Sequence, residues 1–454
     1  MIHPEIRTCF EASFKTPLGQ TQSVEALFTA LSLHGTNVTP QYQALSAQAG
    51  FTPIDKAQLE RPFARGSVGA ALCHVSDMVS SFYQKTGEIE PHEPTASLLR
   101  HIALVGELWR ALLNYPRTPS GDLSLHAFIA QQAPNKASAL ALTAWLGRVA
   151  FTDPEAMKPV YDALTCGWQD GARLPSFLEV DWHGLLDMPV ETARTHLRLD
   201  IPDTRPLGCA PLPSKSLKAT SLSDGFPEHL WALINAPEKA TDPYQITSTV
   251  AAFGNGFDAA YSDAVERMVL SFEGLKEITS TPIPQTVKIE TLRDMPEGSL
   301  GQTFYRLITD NNFDVEVLDP ASLFGAAQPD MPPVEWMNRR ILQLHDVFHL
   351  VAGYKQIGED EIGISGFQLA QIGQPYSAWF IAAVSLISTL YFPAGLAPIL
   401  ELSFSGWKHG RETRPLILVD WESLWGEQIS TIRQTYQISP FASGATEFPS
   451  VAAD

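Results

Sequence analysis

The chain runs to 454 residues, with a formal net charge of −19 and 44% hydrophobic residues. That length predicts two or three domains, and the apolar fraction is ample for a buried core. The acidic balance excludes a broad electrostatic grip on nucleic acid, or on anionic lipid by charge alone, because either needs clustered Lys and Arg. No nucleic-acid partner is therefore expected. The four cysteines, Cys9, Cys73, Cys166 and Cys209, form no CxxC pair and no disulfide framework. Their pattern reads as a reducing, cytoplasmic setting. Met1 to Pro17 carries Glu, Arg and Lys without an apolar run of secretory-signal length.

Apolar residues recur at helical spacing through Leu98 to Leu113 and Ala137 to Val149, punctuated by Pro and Gly. Strand-like alternation is confined to Thr286 to Ile289 and Phe313 to Leu318, so the fold class expected is all-α. Residues 203–224 are rich in Pro, Ser, Thr, Gly and Lys and read as a linker between domains at 1–202 and 225–454. Further on, Ile341, Leu344, Val347, Phe348 and Val351 describe the buried face of a helix, and Gly353 is a natural C-terminal stop. On that helix His345 and His349 lie four apart, one turn from each other on one face. Asp346 stands beside the first ring, and Glu361 follows after eleven intervening residues. Tyr376 to Phe392 is uncharged, interrupted by four hydroxyl residues and stopped by Pro393. At 17 residues it is short for a membrane span and reads as a core helix or the wall of an apolar pocket.

The chain also resembles itself. Gly167-Trp168-Gln169-Asp170-Gly171 matches Gly406-Trp407-Lys408-His409-Gly410, and Val180-Asp181-Trp182 matches Val419-Asp420-Trp421, each 239 positions apart. One register pairs Arg100 with Arg339, Tyr115 with Tyr354, Phe128 with Phe367, Gln132 with Gln371 and Arg194 with Arg433. Upstream, Gly66-Ser67-Val68-Gly69 resembles Gly298-Ser299-Leu300-Gly301 at a spacing of 232. The expectation is two tandem homologous helical domains packed as a pseudo-dimer. The Asp-Trp pair occurs in both copies, which points to a structural role such as a helix cap.

Two imidazoles and one or two carboxylates make a plausible ligand set for a divalent metal. An HxxxH pair alone is weak, since such residues more often sit on a surface or in a satisfied core. The repeat strengthens it. In the first copy His345 becomes Gly106, Asp346 becomes Glu107, His349 becomes Arg110 and Glu361 becomes Asp122. Arg has no free lone pair for a cation, so only the second half can build this site. It is a degenerate repeat set against an armed one.

The segment His345-Asp346-x-x-His349-x11-Glu361 resembles the hallmark of the Coq-four family of ubiquinone biosynthesis proteins. Gly353-Tyr354, Phe367-x-x-Ala370-Gln371, Pro296 to Gly301 with Tyr305-Arg306, Trp407-x-x-Gly410 and Asp420-Trp421-Glu422 are similar to its other blocks. The resemblance is strong over about 225–440. It implies metal binding by His345, Asp346, His349 and Glu361, acting in catalysis through the metal, with zinc the usual ion and iron suited to an oxidative reaction. It implies ubiquinone biosynthesis, with C1 decarboxylation of a polyprenylated hydroxybenzoate head group. The implied partners are a polyprenylated quinone precursor and other ubiquinone biosynthesis enzymes, with peripheral contact at the inner face of a membrane. The rival reading is a non-catalytic scaffold or prenyl-lipid carrier. A third, an HD-type phosphohydrolase, rests on the His345-Asp346 dyad alone. Members of the family are usually single domains of about half this length.

Overall fold

The computed structural model describes residues 62–74, 104–201 and 226–442, apart from 133–135, 175, 177–179, 237–248, 251–252, 312–319, 322–324 and 329. The expected linker at 203–224, the N-terminal residues and the candidate strand Phe313 to Leu318 lie outside them. Regular structure among the described residues is helical, as the periodicity predicts. The two isolated antiparallel bridges, Ser67 with Pro189 and Ser299 with Gln428, extend into no strand.

The first half contains α1 (104–112), α2 (Pro119–Gln132), α3 (Lys136–Phe151), α4 (Met157–Arg173) and α5 (Val190–His196). The second contains α6 (Phe226–Ile234), α7 (Ala259–Leu270), α8 (Leu300–Asp310), α9 (Pro333–Ala352) and α10 (Gly358–Ile372). It continues with α11 (Pro375–Tyr391), α12 (Pro393–Glu412) and α13 (Ile429–Tyr436). The boundaries follow from local chemistry. Gly353 and Gly373 close α9 and α10 at φ of +81° and +63°, a left-handed conformation that glycine adopts without a Cβ penalty. Pro375 and Pro393 open α11 and α12, where a missing N–H leaves no helical bond unmade.

Close packing of α10 on α12, and of α2 on α4, is set by small residues. Gly406 lies against the Gly363 carbonyl and Gly167 against the Ser124 carbonyl, with no room for a Cβ at either. One apolar core runs across both halves, from Leu142, Phe151 and Tyr161 to Phe367, Leu386 and Phe404. A second, around Trp109, Phe128 and Trp182, belongs to the first half. Between halves, α3 packs on α11 and α4 on α12. Thr143 and Thr389 hydroxyls meet at 2.9 Å. Trp168 Nε1 donates to Glu401 at 2.7 Å, and Trp407 Nε1 donates to Asp162 at 2.9 Å.

Bonds recur at the spacing of 239 seen in the sequence. Gln132 Nε2 donates to the Gly171 and Leu174 carbonyls, and Gln371 Nε2 to those of Gly410 and Thr413. Arg194 caps the last carbonyls of α1, at Ala111 and Leu112, and Arg433 caps Leu350 and Val351 of α9. The Asp-Trp pairs differ. Asp181 caps its helical turn by accepting from the Gly184 N–H, whereas Asp420 makes no side-chain cap, so a capping role holds only in the first half.

Thr286 to Ile289 is not a strand. It is extended backbone leading into a 3-10 turn at Ile289–Leu292. Gln343 of α9 donates to the Pro284 carbonyl and the Thr286 hydroxyl, so a side chain rather than a neighbouring strand partners this segment. Tyr376 to Phe392 forms α11, much of it buried: Ala378, Ile381, Ala382 and Leu386 all lie in the core. No helix among the described residues is long and apolar enough to cross a membrane.

Candidate metal centre

Helix α9 carries His345 and His349 with ring centroids 4.7 Å apart and their Nε2 atoms 3.2 Å apart. The left-handed turn at Gly353 reverses the chain within five residues, so the first turn of α10 brings Glu361 back over both rings. Its Oε2 lies 3.3 Å from His345 Nε2, and its Oε1 lies 3.1 Å from His349 Nε2. Ligand atoms of His345, Asp346 and His349 all fall within 4.8 Å of one another. The structure thus brings together all four residues singled out in the sequence.

These spacings suit a shared ion. Ligands held tetrahedrally at about 2.0–2.1 Å from a zinc-sized cation stand about 3.3 Å apart. The three contacts among His345, His349 and Glu361 run from 3.1 to 3.3 Å. Nitrogen and oxygen donors of this kind accept zinc and iron alike. His349 is 1% exposed, while the His345 and Glu361 side chains are 34% and 39% exposed, so the cluster is anchored on one side and open on the other.

Several further groups surround the imidazoles. The Tyr354 carbonyl lies 3.3 Å from His349 Nδ1. A carbonyl only accepts, so Nδ1 carries the proton and the Nε2 lone pair faces Glu361 and His345. Gln368 Nε2 lies 2.8 Å from His345 Nδ1. In that orientation Nδ1 accepts and Nε2–H points at Glu361. Turning the amide by half a turn presents Oε1 instead, moves the proton to Nδ1 and frees Nε2 for an ion. Gln368 was findable: it is seven residues, two turns, beyond Glu361 on the same face of α10. Gln356 Nε2 reaches Asp346 at 3.5 Å.

Charge follows the same geometry. Burial by itself would lower the His345 pKa. The contact with Glu361 outweighs it, Asp346 and Gln368 add to it, and the imidazole ends above its ordinary value. Burial pushes the Glu361 carboxyl up, but its bonds to His345 and His349 prevail and hold it well below the usual carboxylate range. The cluster therefore already favours positive charge at its centre. Below it, the Tyr354 hydroxyl donates to His409 Nδ1 at 2.8 Å, and His409 Nε2 donates to the Ser439 carbonyl at 2.8 Å. That chain of bonds fixes the elbow that carries the Tyr354 carbonyl.

Residues 226–442 match the family described as coenzyme Q (ubiquinone) biosynthesis protein Coq4. The ubiquinone biosynthesis protein COQ4, mitochondrial, of Laccaria bicolor is 24% identical over 241 residues, covering 50% of this chain and 76% of that protein. The protein of the same name from Coprinopsis cinerea is 25% identical over 267 residues, 56% of this chain and 86% of that one. The one from Zygosaccharomyces rouxii is 30% identical over 162 residues, 34% of this chain and 45% of that one. A crystal structure from Nostoc punctiforme, described as a ubiquinone biosynthesis protein, is 20% identical, covers 48% of this chain and 98% of its own, and has a TM-score of 0.38. The motif block and its helical setting fall within the residues that the family matches, and the second half of this chain, residues 226–442, belongs to the Coq4 family.

Proposed function

We propose that the chain acts in ubiquinone biosynthesis as a metal-dependent lyase that removes the C1 carboxyl from a polyprenylated hydroxybenzoate head group. The observation that carries this reading is the convergence of His345, His349 and Glu361 at ligand spacing, with Asp346 within 4.8 Å of both imidazoles and one side open. A divalent ion held by these four residues would supply Lewis-acid stabilisation of charge pushed into the ring. The protein's own groups prepare that place. The Tyr354 carbonyl sets the His349 tautomer, Gln368 sets that of His345, and Glu361 stays ionised. In the reaction the bond from C1 to the carboxyl carbon breaks, its electron pair stays on the ring carbon, that carbon takes up a proton, and carbon dioxide leaves.

The tail needs an apolar wall. Ile362 follows Glu361 and packs with Ile399 and Leu402 of α12, beside the partly exposed Phe380 and Val384 of α11. This face of α11 suits a prenyl chain; the opposite face, through Trp379, is bound to Ala150 and Tyr261. Peripheral membrane contact would let such a substrate enter without crossing water. A second reading, a metal-stabilised scaffold in a quinone biosynthesis complex, is favoured by the ligand count. Four protein ligands can close a tetrahedron and leave no place for substrate.

The test is metal content and coordination of the purified chain, with decarboxylation of a polyprenyl hydroxybenzoate by wild type, His345→Ala and His349→Ala. An open, water-bearing position and turnover lost with the metal support the lyase. Metal loss with turnover intact sinks it, and a metal-loaded wild type without turnover favours the scaffold.

We also infer that residues 1–202 and 225–454 are tandem copies packed as an internal pseudo-dimer. Trp168 and Trp407 lie 239 apart, and so do their acceptors Asp162 and Glu401, each in the opposite half. Such an exchange of like for like is the form of an isologous interface.

A further inference from the structure

In the register of the repeat, Gly106, Glu107, Arg110, Arg117, Asp122 and Ile129 stand at the positions of His345, Asp346, His349, Gln356, Glu361 and Gln368. The first half has no imidazole pair there, yet the place is filled. Arg110 Nε donates to both oxygens of Glu107 at 3.1 and 3.2 Å, and its Nη2 donates to Asp122 Oδ1 at 2.7 Å. Its Nη1 donates to the Pro116 carbonyl at 3.1 Å, at the elbow between α1 and α2. Arg117 Nη2 lies 2.9 Å from Glu107 Oε2. Arg110 and Glu107 are buried. His126 faces the same cluster; burial lowers its pKa, with Asp122 and Glu107 opposing that shift.

The charges differ in a telling way. In the first half two carboxylates, Glu107 and Asp122, meet two guanidinium groups, and the sum is zero. In the second half two carboxylates, Asp346 and Glu361, meet the two imidazoles, with His349 at the position of Arg110. A guanidinium is planar, permanently charged and able to bond several oxygens at once. It can therefore tie the same two helices together without any ion.

We propose that Arg110, assisted by Arg117, stands in the first half for the divalent cation of the second, so that the first half is a metal-independent internal partner and the chain carries one metal site. This rests on the metal reading of residues 345–361. It makes the helix pair α1–α2 indifferent to chelation, whereas α9–α10 depends on its ion.

The experiment uses the full chain. Zinc per chain is measured by mass spectrometry after saturation and desalting, and amide exchange is followed with and without a chelator. Wild type is expected to hold one equivalent, and His345→Ala/His349→Ala none. Chelation is expected to speed exchange in α9–α10 and leave α1–α2 unchanged. Two equivalents in wild type with one persisting in the His345/His349 variant, or faster exchange in α1–α2 on chelation, overturns the proposal while leaving the second-half site standing. One equivalent in wild type that persists in the His345/His349 variant overturns the metal reading of residues 345–361 and this inference with it. No bound zinc in wild type overturns the metal reading and this inference with it. As a gain-of-site test, Gly106→His, Arg110→His, Arg117→Gln and Ile129→Gln are combined; Ile129 is included because a Cβ at position 106 would meet its Cδ1 at 2.9 Å. Two equivalents are expected, and one equivalent in a chain whose α1–α2 exchange stays native overturns it. Should that variant fail to fold, the wild-type stoichiometry and exchange decide alone.

Discussion

At the scale of residues, the candidate centre works through hydrogen bonds one step behind the ligands. Gln368 and the Tyr354 carbonyl decide which nitrogen of each imidazole carries the proton. Removing such a partner ordinarily costs 10- to 100-fold in metal affinity. Gln368→Leu should therefore weaken metal binding by roughly that factor while leaving the helix content intact, as isothermal titration and circular dichroism would show. The pH dependence has a definite sign. A metal needs the neutral imidazole, and the His345 pKa is raised above 6.5. Affinity should climb as pH rises through and beyond 6.5, then level off once His345 is deprotonated. Glu361, held well below the usual carboxylate range, stays charged throughout and adds no slope. Affinity that is flat from pH 6 to 8.5 would remove His345 from the ligand set.

At the scale of elements, the centre depends on how α9 turns into α10 and how α10 rests on α12. Gly353 at φ +81° tolerates a side chain poorly, because an L-residue pays in the left-handed region. Gly353→Ala should destabilise by about 1–2 kcal/mol, read from the denaturant midpoint. Gly406→Ala should do at least as much, about 1–3 kcal/mol, since a Cβ there has no space beside the Gly363 carbonyl and must push α12 off α10. An unchanged midpoint for Gly406→Ala would mean that the two helices can separate without cost. The helix α9, its glycine stop and its histidine face were legible in the sequence, because they rest on local spacing. The supposed strand at Thr286 was not: its short alternation has no neighbouring strand among the described residues, and the Gln343 side chain that partners it is distant in sequence.

At the scale of the whole molecule, the two halves are joined by a shared core and by bonds that cross it. The two tryptophan bonds differ in weight. Asp162 is buried, and burial raises its pKa, with Trp407 and Arg411 among the groups opposing that shift. Glu401 is only half-buried and also accepts from Ser405. Trp407→Phe should thus cost about 1–3 kcal/mol, the penalty of leaving a buried acceptor short of a donor. Trp168→Phe should cost about 0.5–1.5 kcal/mol, the value of an ordinary bond. Equal losses in chemical denaturation, or a larger loss for Trp168→Phe, would show that the burial of Asp162 does not govern this interface.

The sequence by itself determined the helical class, and it singled out the 239-residue register and the four residues of the candidate centre. All three rest on spacing along one chain: the helical period, a constant offset, and ligands on one turn and at the next helix start. Only the tertiary structure decided what surrounds them. It set Gln368 and the Tyr354 carbonyl behind the imidazoles, because hydrogen-bond direction depends on how separate helices meet. It also turned the missing ligands of the first half into a finding. The sequence marked Arg110 as unable to bind a cation; the folded chain shows its guanidinium lodged between Glu107 and Asp122, where charge, not ligand chemistry, holds the two helices together.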